Sequence, residues 1–444
     1  MEFTLTAAAL AAMPLLGATR IVAAPAPNWV ASWTASMHGP YPLGNPTAQP
    51  DMRFALPSAE TGATDQSFRL IVRPDVWGKQ ARVRLSNVFG TRPVTFDGVH
   101  IGLQSSGSAL VQGTNRIITF GGKPNVTVAP GQMVLSDPIP LNWVGKPGDP
   151  MLANRKLAVS FHVVGESGAI TWHAKALTTS YLSGPRTGAL GAEETEAAFP
   201  FTTTSWYFLD AVQMDVPGAT TVVAFGDSIT DGTGSTINGD DRWPDIFSRR
   251  VHAAFGERFS VVNQGIGGNQ VIGPVNYLAE PGSGGPRALD RLDRDIVALP
   301  NVSTIIWLEG INDFGIGGET VAAVTDGVRE GVKRLRAGIP GVNIFMATLT
   351  SSLNSANVTH GTPAIEQKRQ AFNAFVRTAG IFDGVVEFDA PTLDPQTGEL
   401  KAEHQPNSSI GGPGDKLHPN RYGYLAMAGE IDLDAVFGKL NVKK

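Results

Sequence analysis

The stretch Thr221-Val-Val-Ala-Phe-Gly-Asp-Ser-Ile-Thr230 opens as a β-branched, apolar run and breaks at Gly226-Asp227-Ser228. A continuous apolar run closed by a turn signal reads as a strand buried on both faces, as in parallel sheets. Gly226 lets the backbone turn sharply, and Asp227 or Ser228 can cap a following helix. A serine so placed stands at the carboxyl end of a parallel strand, where open α/β sheets put their ligands. It also stands near a helix N-terminus, whose free N–H groups favour negative charge. Taken alone, Gly-Asp-Ser reads first as a capping turn. The rest of the chain decides between the two.

Downstream of Gly218 the texture alternates. Strands are predicted at Thr221–Phe225, Phe259–Asn263, Thr304–Leu308, Val342–Thr348 and Val385–Phe388. Helices are predicted between them at Trp243–Phe255, Ala288–Leu299, Val321–Ala337 and Ala364–Thr378, with a last one from about Arg421 to Val436. This alternation predicts βαβ units, hence a parallel sheet covered on both faces. Right-handed crossovers then bring the carboxyl ends of the strands to one edge.

The loops at that edge share a chemistry. Asn263-Gln-Gly-Ile-Gly-Gly-Asn269 can present backbone N–H groups, and Glu309-Gly-Ile-Asn-Asp-Phe314 offers the Asn312 amide. Gly411-Gly-Pro-Gly-Asp-Lys-Leu-His-Pro-Asn420 puts Asp415 and His418 in one turn. A serine, glycine N–H groups, a neutral amide and an Asp/His pair are what acyl transfer requires: nucleophile, oxyanion donors, base and orienter. Asp415 has two readings at this point, orienting the imidazole or capping the last helix. Gly265, Gly267 and Gly268 do not have dinucleotide-binding spacing, and Gly226 and Ser228 do not form Gly-x-Ser-x-Gly.

In these four blocks the sequence resembles the SGNH, or GDSL-type, hydrolase superfamily. Gly226-Asp-Ser-Ile229 is similar to its first block, with Ile for the usual Leu; Gly268, Asn312 and Asp415-Lys-Leu-His418 are similar to the others, in the same order. The resemblance implies a flavodoxin-like α/β/α fold and an esterase or lipase-like hydrolase that uses no metal or cofactor. It implies that Ser228 is the nucleophile, His418 the base and Asp415 its orienter. The oxyanion donors would be Ser228, Gly268 and Asn312.

Upstream, from Trp29 to about Asp215, the pattern is β: Phe68-Arg-Leu-Ile-Val-Arg, Ala81-Arg-Val-Arg-Leu and Lys156-Leu-Ala-Val-Ser-Phe-His-Val-Val alternate between turn signals. Short strands at this spacing predict an antiparallel β-sandwich or jelly roll. Leu5 to Gly17 is apolar and is followed by small residues, as in an export signal, although no Lys or Arg precedes it. The predicted organisation is a signal peptide over 1–26, a β-sandwich domain over 27–217 and a hydrolase domain over 218–444, in a secreted or periplasmic protein.

Composition narrows the partners. Among 444 residues the net charge is -5, with no basic run, which argues against nucleic acid or an anionic membrane surface. The leader is too short and Pro-interrupted for a stable membrane insertion. With Cys at 0, disulfides, thiol nucleophiles and cysteine metal sites are excluded. The expected partner is a small-molecule or glycan ester. A carbohydrate O-acetyl esterase is the alternative reading, with Trp29, Trp33, Trp77, Trp143, Trp172 and Trp206 available for an aromatic platform on the β domain. Two loops, Val271 to Arg287 and Leu349 to Thr362, leave strands at the reactive edge and are candidates to shape a pocket. His38, His100, His162, His173, His252, His360 and His404 show no paired ligand spacing and read as ordinary surface or core residues.

Overall fold

In the computed structural model, which describes residues 27–43, 52–146 and 148–441, the quoted stretch is the strand Thr220–Gly226. It pairs in parallel with Phe259–Gly265 on one side and Val302–Leu308 on the other; Asn343–Ala347 and Gly384–Val386 continue the sheet outward. Taken in chain order, these five strands lie in the order 2-1-3-4-5, the flavodoxin-like arrangement. Val222, Val223, Ala224 and Phe225 are all buried, because helices cover both faces. That is why the run is apolar throughout instead of alternating. The leader predicted over 1–26 lies outside the described residues.

The helices Trp243–Phe255, Val321–Gly338 and Pro363–Thr378 form where the apolar periodicity predicts them. Two others differ. The helix predicted over Ala288–Leu299 is α-helical only over Ala288–Leu292 and continues as a π turn over Asp293–Val297. The helix predicted from Arg421 to Val436 is two, Arg421–Gly429 and Leu433–Asn441. The Asp432 carboxylate accepts the N–H groups of Asp434 and Ala435, so it starts a new helix rather than continuing the old one.

The N-terminal half is a β-sandwich. One antiparallel sheet holds Trp29–Thr34, Leu209–Asp215, Gln80–Ser86 and Met133–Leu135; the other is built around Thr64–Val72, Leu157–Glu166 and Val94–Leu103. Val83, Leu85, Val212 and Met214 share one core with Phe68, Leu70, Phe96 and Phe161. Trp33, Trp77, Trp172 and Trp206 belong to that core, and Trp29 and Trp143 are half-buried under Arg82 and Arg116. An exposed platform built from these six tryptophans is therefore not formed: most of them hold the sandwich together.

The two halves are joined along an edge. Trp29–Thr34 lies beside Phe259–Gly265, the outer strand of the parallel sheet, without forming a ladder. Instead Ser260 Oγ donates to Ala31 O at 2.7 Å, Thr34 Oγ1 donates to Asn263 O at 2.9 Å, and the Ala31 N–H donates to Thr221 Oγ1 at 3.0 Å. Nearby, Asp75 accepts the Val261 N–H at 2.6 Å and Arg73 pairs with Asp245 at 2.9 Å. A shortened chain beginning at Pro217 would leave these donors, acceptors and charges without partners. We expect it to melt far below the full-length protein or not to fold. Full-rate ester hydrolysis by such a chain, with a cooperative melt, would show the halves to be independent.

Candidate active site

The turn after the first parallel strand is organised by Asp227. Its carboxylate accepts the Ile229 N–H at 3.0 Å and so caps the four-residue helix Ser228–Asp231. Burial pushes the Asp227 carboxyl up to about 7. Ser228 is the first helical residue, where an N–H has no intrahelical acceptor.

Ser228 Oγ lies 2.8 Å from His418 Nε2, and His418 Nδ1 lies 2.6 Å from Asp415 Oδ2. The other Asp415 oxygen accepts the backbone N–H groups of Leu417 at 3.0 Å and His418 at 2.9 Å. Burial alone would raise the Asp415 carboxyl, but His418 and these N–H groups hold it well below the usual carboxylate range. A carboxylate can only accept, so Nδ1 carries the proton and the Nε2 lone pair faces the serine hydroxyl. The helix Arg421–Gly429 is capped by Asn420, not by Asp415. Asp415 thus sits on the imidazole and on its own turn.

The glycine-rich turn packs against the helix Ser228–Asp231. A Cβ on Gly265 would stand 2.2 Å from Asp231 N, so only glycine lets strand and helix approach this closely. Gly268 has φ 83°, a left-handed conformation open to glycine. The next residue, Asn269, fastens the turn: its Nδ2 donates to Gly284 O and Pro286 O at 2.7 Å each, and its carbonyl accepts Asn312 Nδ2 at 2.9 Å. Asn312 keeps one amide N–H for another acceptor. Among the described residues neither the Ser228 N–H nor the Gly268 N–H donates to a protein acceptor.

Sequence reasoning puts His360 on a loop at the reactive edge without giving it a role, and it does not single out Asp313. His360 Nε2 lies 3.0 Å from Asn312 Oδ1 and Nδ1 lies 3.0 Å from Thr359 Oγ1. An amide oxygen only accepts, so Nε2 donates and fixes which way the amide points. Burial, with His418 nearby, lowers the imidazole to about 4, so it stays neutral. Asp313 accepts the N–H groups of Val271 and Ile272 at 2.9 and 3.0 Å. Of the two candidate loops, the second reaches the centre through His360. The first is tied to it at both ends, by Val271 and Ile272 on Asp313 and by Gly284 and Pro286 on Asn269, while its middle turns to the sandwich, where the Tyr277 hydroxyl donates to His38 O.

Arg291 underlies the whole arrangement. Its fully buried guanidinium donates to Gly226 O and Gln264 O at 2.8 Å each, to Asn269 Oδ1 at 2.8 Å and to Ser36 Oγ at 3.0 Å. It also pairs with Asp295 at 3.1 Å and stacks 3.9 Å over the Phe225 ring. One side chain therefore ties the ends of the two strands that carry Ser228 and Gly268. A signal was present: Ala288, Arg291, Leu292 and Asp295 share one helical face, so an oppositely charged i,i+4 pair falls on the apolar stripe.

Among the described residues no cluster of His, Asp and Glu is arranged to hold a metal ion, and no helix is long and apolar enough to cross a membrane. Residues 224–426 match the profile of a GDSL-like lipase/acylhydrolase family. No curated protein matches the chain. Among solved structures, the chain is similar to a carbohydrate acetylesterase family member from Sinorhizobium meliloti. Identity is 17%, over 50% of this chain and 100% of that one, with a TM-score of 0.37. The aryl esterase of M. smegmatis is similar at 13% identity over 48% of this chain and 95% of its own, with a TM-score of 0.36. A family two carbohydrate esterase from Clostridium thermocellum, solved in complex with cellohexaose, is similar at 14% identity over 91% and 98% of the two chains, with a TM-score of 0.35.

Proposed function

Residues 224–426 form a GDSL-like lipase/acylhydrolase domain, which makes the protein an ester hydrolase, and from that premise we propose that it cleaves carboxylic esters through an acyl-enzyme on Ser228. The observation that carries this reading is the continuous hydrogen-bonded line from Ser228 Oγ through His418 to Asp415, at 2.8 and 2.6 Å. As Ser228 Oγ attacks the ester carbonyl carbon, His418 Nε2 takes its proton, and Asp415 stabilises the imidazolium. The carbonyl oxygen becomes an oxyanion received by the Ser228 and Gly268 N–H groups and the free Asn312 amide N–H. When the tetrahedral intermediate collapses, the departing alkoxide takes the proton back from His418 and leaves as the alcohol. Water then repeats the sequence on the acyl-enzyme and releases the acid.

We further propose that the sandwich over 27–217 serves as a structural partner of the catalytic domain over 218–444, and that the leader exports the protein to the periplasm or outside the cell. A fluorophosphonate probe tests the chemistry. It is expected to modify one residue, Ser228, as read by peptide mass spectrometry, and to abolish hydrolysis of a series of aryl esters. Complete modification of another serine, with activity lost in step, would sink the assignment.

A further inference from the structure

Asp231, three residues after Ser228, touches both the glycine-rich turn and the sandwich. Its Oδ2 accepts the Gly267 N–H at 3.0 Å, and its Oδ1 lies 3.1 Å from Nε2 of His173, which ends the sandwich strand Thr171–His173. Both side chains are buried. The histidine ring faces acceptors on both sides: Nδ1 is 2.8 Å from Ser36 O, and Nε2 is also 3.2 Å from Lys175 O. Carbonyl and carboxylate oxygens have no hydrogen to give, so each ring nitrogen must bring its own. With Asp231 ionised, both ring nitrogens of His173 donate, which makes the ring an imidazolium bound to the carboxylate that holds the turn containing Gly268.

The surroundings are consistent with that charge. Burial opposes it, but Asp231 carries the imidazole above its ordinary value. The nearby His38 ring, 6.1 Å away, is lowered by burial to about 3 and is neutral. Lys175 Nζ, whose pKa burial lowers, donates to Thr233 Oγ1 at 2.6 Å, and Arg294 is paired with Asp295 at 2.6 Å. The remaining face of the ring packs on Trp206, 5.5 Å between centroids.

We propose that His173 is a positioning residue of the oxyanion site: as an imidazolium it fixes Asp231, which fixes the Gly267 N–H and so the aim of the adjoining Gly268 N–H. The sandwich thereby sets the geometry of a site that it does not itself enter. This rests on the reading of Gly268 as an oxyanion donor.

Asp231→Asn separates geometry from charge. An asparagine oxygen still accepts the Gly267 N–H, its amide donates to His173 Nε2, and the ring becomes neutral with Nδ1–H on Ser36 O. Loss of an oxyanion donor costs roughly 100- to 1,000-fold in turnover, and a misaimed one a part of that. Asp231→Ala and His173→Ala are thus expected to lower kcat on a short aryl ester at least about tenfold with KM little changed, while Asp231→Asn stays within about threefold of wild type. Circular dichroism checks folding, and Ser228→Ala runs in parallel. If Ser228→Ala is inactive while folded Asp231→Ala keeps wild-type kcat, the positioning role fails and the nucleophile assignment stands. If Ser228→Ala itself turns over normally, the catalytic reading fails first. A loss confined to KM, or equal losses in Asp231→Asn and Asp231→Ala, also overturns the proposal. Should Asp231→Ala not fold, His173→Gln decides: its amide can still donate to Asp231, so it must retain more kcat than His173→Ala.

Discussion

Ser228→Ala and His418→Ala are each expected to cut kcat on a short aryl ester by roughly 10,000-fold or more, and Asp415→Ala by clearly less. Ser228 supplies the atom that bonds to the acyl carbon, and its hydroxyl lies 2.8 Å from the Nε2 of the imidazole that Asp415 orients. His418 is equally irreplaceable. The buried His360 donates its Nε2 proton to Asn312 at 3.0 Å, and its remaining lone pair, on Nδ1, faces Thr359 Oγ1 at 3.0 Å rather than Ser228. Asp415 acts only through His418, and its side chain is 40% exposed, so water can take over part of its contact with Nδ1. What survives in each variant is catalysis by the oxyanion donors alone; Asn312→Ala removes one of them and should cost about 100-fold in kcat with KM nearly constant. Steady-state kinetics on one ester, with circular dichroism for folding, makes the comparison. His418→Ala outperforming Asp415→Ala would remove the histidine from the role of base.

Among single substitutions, Arg291→Met should have the largest effect on stability, a loss of about 3–5 kcal/mol, because it breaks a buried ion pair while leaving its acceptors in place. The carbonyls of Gly226 and Gln264 would each lose a 2.8 Å donor. Asp295 would lose one of its two arginines, and Glu309, 3.8 Å from the guanidinium, would face an apolar side chain. Burial already pushes Glu309 up to about 7, so without the arginine it would take up a proton at neutral pH. At roughly 2–4 °C per kcal/mol for a unit of this size, the melting temperature should fall by about 10 °C in calorimetry. Arg291→Lys should rescue little, since a single ammonium cannot span two strand ends and Asn269 at once. An unchanged melting temperature for Arg291→Met would contradict the hub reading.

The contrast between these two predictions also marks what was legible in the sequence. The parallel sheet and the residues brought together around Ser228 could be read because each sits in a short local signal. An apolar run ends in Gly-Asp-Ser, a glycine turn follows the second strand, and Asp415 and His418 lie three apart in one turn. His173 and His360 carry no such signal: they meet Asp231 and Asn312 across 58 and 48 residues, and only folding makes them neighbours. The tryptophans failed as a platform for a related reason. In short strands of a sandwich, composition does not say which face is inward, and Trp33, Trp77, Trp172 and Trp206 all fall on the inner side or against it. The final helix was over-extended because Gly429-Glu-Ile-Asp432 keeps an apolar spacing while Asp432 caps a new start.

The strand Trp29–Thr34 has a consequence during synthesis. The outer strand of a parallel sheet presents a row of unpaired backbone groups, a template on which other chains can aggregate. Here the cover for that edge, anchored by Ser260 Oγ on Ala31 O and Thr34 Oγ1 on Asn263 O, leaves the ribosome 229 residues ahead of the strand it protects. Domains fold from the N-terminus as they emerge, so the sandwich can stand ready when Phe259–Gly265 appears. The order of the two halves along the chain thus lets the hydrolase sheet meet its own sandwich before it meets a neighbour.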